Sequence, residues 1–195
     1  MSPTQFLSLL GASATHLYQT TPLFASVTLA QAADETGWLA FLPHDIHTGR
    51  NSYNIYGVKG TGPAGSVECY TQEWRNGAYV TILAQFAAYE NYFQSMQSRA
   101  HLLLTDMRYR TVLDAATPFA QCYALQDSGY ATSPTYGQTL SSIIRDFDLT
   151  QFDTRKKSYA HYNVTVGWFD SKKQAQQGAA RISKATGYHT TIQLP

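Results

Sequence analysis

Only thirteen acidic side chains are spread over 195 residues, so each invites a chemical question. Glu35 closes the apolar run ASVTLAQAADE, just ahead of Gly37-Trp38. A carboxyl beside Trp and apolar side chains loses hydration, which disfavours its charged form and keeps its proton on near neutrality. Such a group can give that proton to a glycosidic oxygen. The plainer alternative is an exposed glutamate at a helix end. A second carboxylate, Glu73, stands in TQEWR ahead of Asn76-Gly77. Strand alternation sends Glu73 and Trp74 to opposite faces, and a β-lobe folded over the body would set Glu73 across a cleft from Glu35. Two carboxylates flanking a groove are the equipment of glycoside hydrolysis; a surface strand carboxylate is the alternative.

Other reactive patterns are weak. His44-Asp45-Ile46-His47 resembles a metal pair, but the spacing is loose and no third ligand is obvious, so no metal is expected and a loop, solvated or lining a groove, is the reading. GVKGTG does not match a phosphate-binding loop, and no G-x-S-x-G elbow occurs, so neither a cofactor nor a nucleotide fold is expected. Cys69 and Cys122 form neither a CxxC pair nor a disulfide framework.

The elements that must carry these residues read as follows. Residues 4–19 have helical spacing, with Phe6, Leu9, Leu10, Leu17 and Tyr18 on one side. Thr21-Pro22 has the form of an N-cap followed by Pro at the first helical position, predicting a second helix that stops at Gly37. Residues 43–52 read as a loop. From Tyr53 to Val80 turn glycines and strand-like segments take over, with Asn76-Gly77 predicting a tight hairpin. Helical texture returns from Ile82 to Leu104, again from Thr117-Pro118 to Gly129, and last from Ser133-Pro134 to about Phe147. The expectation is an α+β body, mostly helical, with a small β-lobe.

Composition sets the outer bounds. Hydrophobic residues make up 44% and charged residues 14%, which fits a globular chain with a real core and excludes a disordered one. No uncharged apolar run nears the ~18 residues of a membrane span, so no membrane partner is expected. The amino-terminal apolar run has no Lys or Arg before it, the first being Arg50, so it reads as part of the folded domain rather than an export signal. The net charge of +1 hides an asymmetry. Residues 1–153 hold seven Lys+Arg against twelve acids, a net of −5, whereas residues 154–195 hold seven against Asp170 alone, a net of +6. This predicts two modules, 1–153 and 154–195. The basic piece is either a solvated face or a surface for an anionic polymer; the acidic body argues against nucleic acid.

Five segments occur together: ASVTLAQAADETGW, NIYGVKG, TQEWRNGAYV, MRYRTVLDA and GYATSPTYGQTLSSII. In this order, over about residues 4–150, they resemble the glucosaminidase family, family 73 of the glycoside hydrolases, which includes bacterial autolysins, the flagellar-rod peptidoglycan hydrolase and phage lysins. The resemblance implies a lysozyme-like fold and cleavage of peptidoglycan glycan strands, usually at the β-1,4 linkage after N-acetylglucosamine. It implies that Glu35 is the catalytic acid and Glu73, in a T-x-E-aromatic stretch completed by Trp74, the candidate base. It maps groove aromatics to Trp38, Tyr130 and Tyr136, and the segment shaping the floor near the acid to Asn54 and Gly57. Muramidase specificity and a non-catalytic glycan-binding module remain as alternatives. Leu39 stands where the family usually has Gly after the Trp, Asp34 where an apolar residue is common, and the loop LAFLPHDIHTGRNS is longer than in a minimal member. Glu73 would either activate water for inversion or assist attack by the substrate's own N-acetyl group.

In the basic piece Tyr162, Val164, Val166 and Trp168 alternate, Asp170-Ser171 caps a helix carrying Ala175, Ala179 and Ile182, Gly187 ends it, and YHTTIQL reads as a strand. This β-α-β unit resembles half of a sporulation-related repeat (SPOR) domain, a family that binds glycan strands stripped of stem peptides. So small a unit needs a partner, either a second copy, giving a homodimer through residues 154–195, or the catalytic body. The expected setting is the bacterial cell wall, reached by a phage-type or other non-classical route.

Overall fold

The structure is a computed structural model and describes residues 1–75, 77–155 and 171–186; for Trp74, Arg75 and residues 182–186 it describes the backbone alone. The chain divides into two compact units, Met1–Lys157 and Ser158–Pro195.

The first unit opens with α1 (Pro3–Thr20). Its start is a capping box: the Ser2 hydroxyl accepts from the Gln5 amide at 3.3 Å while Gln5 Oε1 accepts from the Ser2 amide at 3.1 Å. This helix buries Phe6, Leu10, Ala14 and Leu17.

Helix α2 (Ala25–Thr36) is enclosed on every side, and the two of its residues that reach solvent freely are Asp34 and Glu35. It starts later than Thr21-Pro22 predicts. The Thr21 hydroxyl donates instead to the Leu17 carbonyl at 2.9 Å, closing α1. The first amides of α2 are capped from far away in sequence: Phe24 N donates to Gln121 Oε1 and Ser26 N to Asp153 Oδ1, both at 2.9 Å. Side chains delivered by the tertiary fold do what a local cap does elsewhere.

Strands β1 (Ser66–Arg75) and β2 (Ala78–Ala87) pair antiparallel from Ser66↔Ala87 to Arg75↔Ala78, with Gly77 in a turn between them, as the predicted hairpin requires; Asn76 lies outside the described residues. The expectation of helix from Ile82 fails here. Ile82 to Ala87 complete β2, whose exposure alternates until Phe86 and Ala87 are buried. A ten-rung ladder outweighs helix propensity in a short apolar stretch that period alone cannot assign.

Helix α3 (Tyr92–Thr105) follows, capped by Asn91, whose side chain accepts from Gln94 N at 3.0 Å. A 3-10 turn at Met107–Tyr109 leads into α4 (Arg110–Leu113). Helix α5 (Pro118–Asp127) starts as its sequence predicts, with Thr117 as cap. Helix α6 (Tyr136–Asp146) starts two residues later than Ser133-Pro134 suggests, after a turn over 133–135, and a 3-10 turn at Leu149–Phe152 closes the body. Phe6, Leu29, Ile55, Met96, Leu125 and Leu140 are among the fully buried side chains of the main core. Val67, Phe86 and Ala88 form a small separate cluster under the hairpin. The result is an α+β arrangement, a helical body with one two-stranded lobe.

The second unit contributes α7 (Lys172–Thr186). Ser171 caps it as expected, accepting from Gln174 N at 3.3 Å through its hydroxyl and from Ala175 N at 3.1 Å through its carbonyl. The strands expected over 162–168 and 188–194, and the stop at Gly187, lie outside the described residues. Among the described residues, no helix is long and apolar enough to cross a membrane.

Candidate active site

Glu35 sits on the last turn of α2, at the one end of this buried helix that opens to water. The chain leaves it through three successive left-handed residues, Gly37 (φ 53°), Trp38 (φ 60°) and Leu39 (φ 64°). Trp38 and Leu39 adopt this conformation at a steric cost, of the kind that concentrates at functional sites. Hydrogen bonds hold the turn in place: Trp38 N to Ala33 O at 3.1 Å, Leu39 N to Thr36 Oγ1 at 2.9 Å, and Phe41 N to Thr36 O at 2.9 Å. The Trp38 ring is wedged edge-on between Phe6 (5.1 Å) and Phe147 (4.4 Å). The turn therefore packs Trp38 into the body next to the acid.

Burial pushes the Glu35 carboxyl up to about 7, and the negative charge of neighbouring Asp34 adds to the shift. The carboxyl is both touched by water and desolvated, because water reaches it from one side while the dense body lies behind it. The desolvation is the decisive property, since it sets which form is present near neutrality. The carbonyl end of α2 acts in the same sense, since a helix C-terminus disfavours an anion. Asp34 is itself raised by burial.

A buried polar layer lies behind the acid. Arg99 of α3 is 2% exposed. It donates to Thr28 Oγ1 at 3.3 Å and to Gln31 Oε1, and its guanidinium lies 5.4 Å from the centre of the Tyr56 ring. Gln31 Nε2 donates to the Tyr136 hydroxyl at 2.7 Å, and the Tyr56 hydroxyl to the Thr28 carbonyl at 3.2 Å. Tyr130 stacks on Tyr136 at 6.0 Å. Burial raises all three phenols, Tyr56, Tyr130 and Tyr136, so they keep their protons at any working pH, and the charge of Glu35 adds to the effect on each. The structure thus gathers Glu35, Tyr130 and Tyr136 as the sequence reading expects, with Trp38 beside the acid. It adds Tyr56, Gln31, Thr28 and Arg99, which that reading missed. A signal existed for two of them: Gln31 lies one helical turn before Glu35, and Arg99 interrupts the apolar stripe Met96, Ala100, Leu103 of α3. Among the described residues no carboxylate pairs with Arg99, and its Nε has no hydrogen-bond partner.

The other expected site residues belong to the β-lobe. Asn54 is fully buried; its Nδ2 donates to Val58 O (2.8 Å) and Ala87 O (2.9 Å), and its Oδ1 accepts from Val58 N at 3.0 Å. It therefore ties the loop to β2 and meets no solvent. Gly57 (φ 61°) makes the left-handed turn inside that knot. Glu73 lies on β1 opposite Val80, in an ion pair with Lys59. The Trp74 side chain lies outside the described residues. In the His44–His47 loop, Asp45 accepts from Glu68 N (3.1 Å), from Thr48 Oγ1 and N (both 2.9 Å) and from His47 N (3.2 Å), which holds its carboxyl down to about 2. His44 Nδ1 faces its own Leu42 carbonyl at 2.9 Å, and no metal-ligating cluster of three is present among the described residues. Both cysteines are free thiols.

The profile of a family described as mannosyl-glycoprotein endo-beta-N-acetylglucosaminidase matches residues 11–149, a span that carries Glu35, the lobe and the tyrosine layer. The chain belongs to the glucosaminidase family of glycoside hydrolases. It is 31% identical over 195 residues to the exo-glucosaminidase LytG of Bacillus subtilis, covering 94% of this chain and 67% of that protein. It is 39% identical over 123 residues to the peptidoglycan hydrolase FlgJ of Salmonella typhimurium, covering 60% of this chain but only 37% of FlgJ. The catalytic domain of the autolysin Auto from Listeria monocytogenes superposes with a TM-score of 0.67 at 28% identity, covering 78% of this chain and 90% of that one. The helical body with its small lobe is the lysozyme-like α+β architecture of this glucosaminidase family, and the chain is accordingly a glycoside hydrolase.

Proposed function

We propose that this glucosaminidase-family chain cleaves the glycan strand of bacterial peptidoglycan as an endo-β-N-acetylglucosaminidase, with Glu35 as general acid. One observation carries the reading: at the open end of a helix otherwise buried up to Asp34, Glu35 reaches solvent and holds its proton to about pH 7. Glu35 protonates the leaving glycosidic oxygen as the bond to the anomeric carbon breaks. Glu73 takes a proton from the water that attacks the opposite face, or orients the substrate's N-acetyl group if that group attacks first. Trp38 and Tyr130, both partly exposed, supply ring faces for sugars. Tyr136, buried, supports Tyr130 and Gln31 from behind. Asn54 and Gly57 act by shaping the lobe, and Trp74 stands beside Glu73 in sequence.

Glu35→Gln removes the proton without changing shape. Lysis of purified walls is expected to vanish while the folded spectrum stays intact, and retained clearing in a zymogram would refute the assignment. Mass spectrometry of the new reducing ends separates N-acetylglucosamine from N-acetylmuramic acid products. Internal fragments mark endo cleavage; release of terminal sugars alone would point to the exo mode in the name of the Bacillus relative. The second unit we read as a SPOR-like half-repeat that holds glycan strands and pairs with a second copy. Its basic composition and the capped helix α7 support that reading. The site of action is then the cell wall.

A further inference from the structure

Lys59, the charged residue of the NIYGVKG segment, has no role in the proposed function. Lys59 Nζ donates to Glu73 Oε1, joining the segment after Gly57 to β1. The stem of this lysine is built with care. Val58 O accepts from Ala87 N at 2.9 Å, Gly60 N donates to Gln85 O at 3.0 Å, and Lys59 bridges Phe86, so residues 58–60 lie along β2 like a short third strand. The buried Asn54 grips both backbone groups of Val58. The ammonium therefore rises from a pinned backbone, although the lysine side chain is 51% exposed and that of Glu73 26%.

An exposed ion pair of this kind contributes little to stability. Its effect falls on the orientation and charge of the carboxylate, because an adjacent cation favours the ionised form. Glu73 shares its side of the ladder with Thr71, Val80 and Ile82, which carry no charge; Arg75, two positions further along β1, is the other charged residue of that stretch. We propose that Lys59 is a positioning residue of Glu73: it favours the ionised carboxylate and holds it toward the lobe face that also carries Val67 and Phe86, ready to receive a proton from the attacking water. In that step the water oxygen bonds to the anomeric carbon, its proton passes to Glu73, and the Glu35 proton leaves with the departing sugar oxygen. Lys59 keeps its own protons throughout. The inference rests on the reading of Glu73 as base.

The test compares K59M, K59R, E73Q and the double variant K59M/E73Q on solubilised glycan strands across the pH range. K59M is expected to lower kcat about tenfold with KM unchanged and to move the acidic limb of the profile to higher pH, since the carboxylate loses the cation that favoured its charge. K59R restores both, and K59M adds no further loss in the E73Q background. Unchanged melting temperatures exclude a folding defect, and K59Q repeats the measurement if K59M melts early. The proposal is overturned if K59M keeps the wild-type kcat and acidic limb while E73Q is inactive, or if it raises KM alone, which would make Lys59 a sugar contact. If E73Q itself retains the wild-type rate, the role of Glu73 as base fails first and the proposal falls with it, whereas activity in E35Q would strike only the acid.

Discussion

The proton that the proposed mechanism takes from Glu35 depends on how one carboxyl balances contact with water against enclosure by protein. Glu35 is held at about 7 first by burial and then by Asp34, so it is mostly protonated below that pH and loses its proton above it. The hydrolysis rate is therefore expected to fall as pH rises through about 7, on the limb that reports the acid. Asp34→Asn removes the like charge, which lowers the Glu35 pKa and moves that basic limb to lower pH. Because burial is the larger cause, the limb should stop well above the ordinary carboxylate range, and a pH–rate profile of the variant measures this. A limb that stays in place would show that Asp34 does not reach the acid electrostatically.

The elements show how local signals and tertiary contacts compete. Where a signal acts within a turn, the sequence reads correctly: Thr117-Pro118 opens α5, Ser171 caps α7, and Gly37 ends α2 in the left-handed conformation, its amide bonding back to Ala33. Where partners come from elsewhere, it misleads. Ile82–Ala87 is a strand because β1 offers it a ladder, and α2 starts at Ala25 because Gln121 and Asp153 cap it from 97 and 127 residues away. The lobe's keystone is Asn54, whose amide satisfies four backbone groups in a site closed to water. Asn54→Ala leaves those groups buried and unpaired, and is expected to cost about 1–3 kcal/mol, read as a lower melting temperature. The same variant should slow hydrolysis, since the backbone under Lys59 loosens with it.

At the scale of the whole molecule, charge and compactness divide the chain at slightly different points. Arg155, Lys156 and Lys157 fall in the unit Met1–Lys157, which nets −2, and Ser158–Pro195 nets +3. A chain ended at Lys157 keeps every residue of the candidate site. It is expected to cleave soluble glycan fragments at close to the full rate while losing retention on insoluble walls. Pull-down with purified sacculi at rising salt measures that loss, because attraction between a basic surface and an anionic polymer is screened. Light scattering of both forms checks the pairing of the second unit: the full chain should run as a dimer and the shortened one as a monomer.

By itself, the sequence determined the family, the α+β class and the place of the hairpin, and it singled out Glu35 as the candidate acid, because those depend on motifs and on interactions within a few residues along the chain. Tertiary structure alone decided that α2 is sealed except at Asp34 and Glu35, that Arg99 and Gln31 form a polar layer with three tyrosines behind the acid, and that Lys59 meets Glu73. Arg99 and Gln31 lie 68 residues apart, and no periodicity or spacing rule links residues so distant. Desolvation, which moves the acid furthest from its ordinary value, exists only once α2 is enclosed by its neighbours.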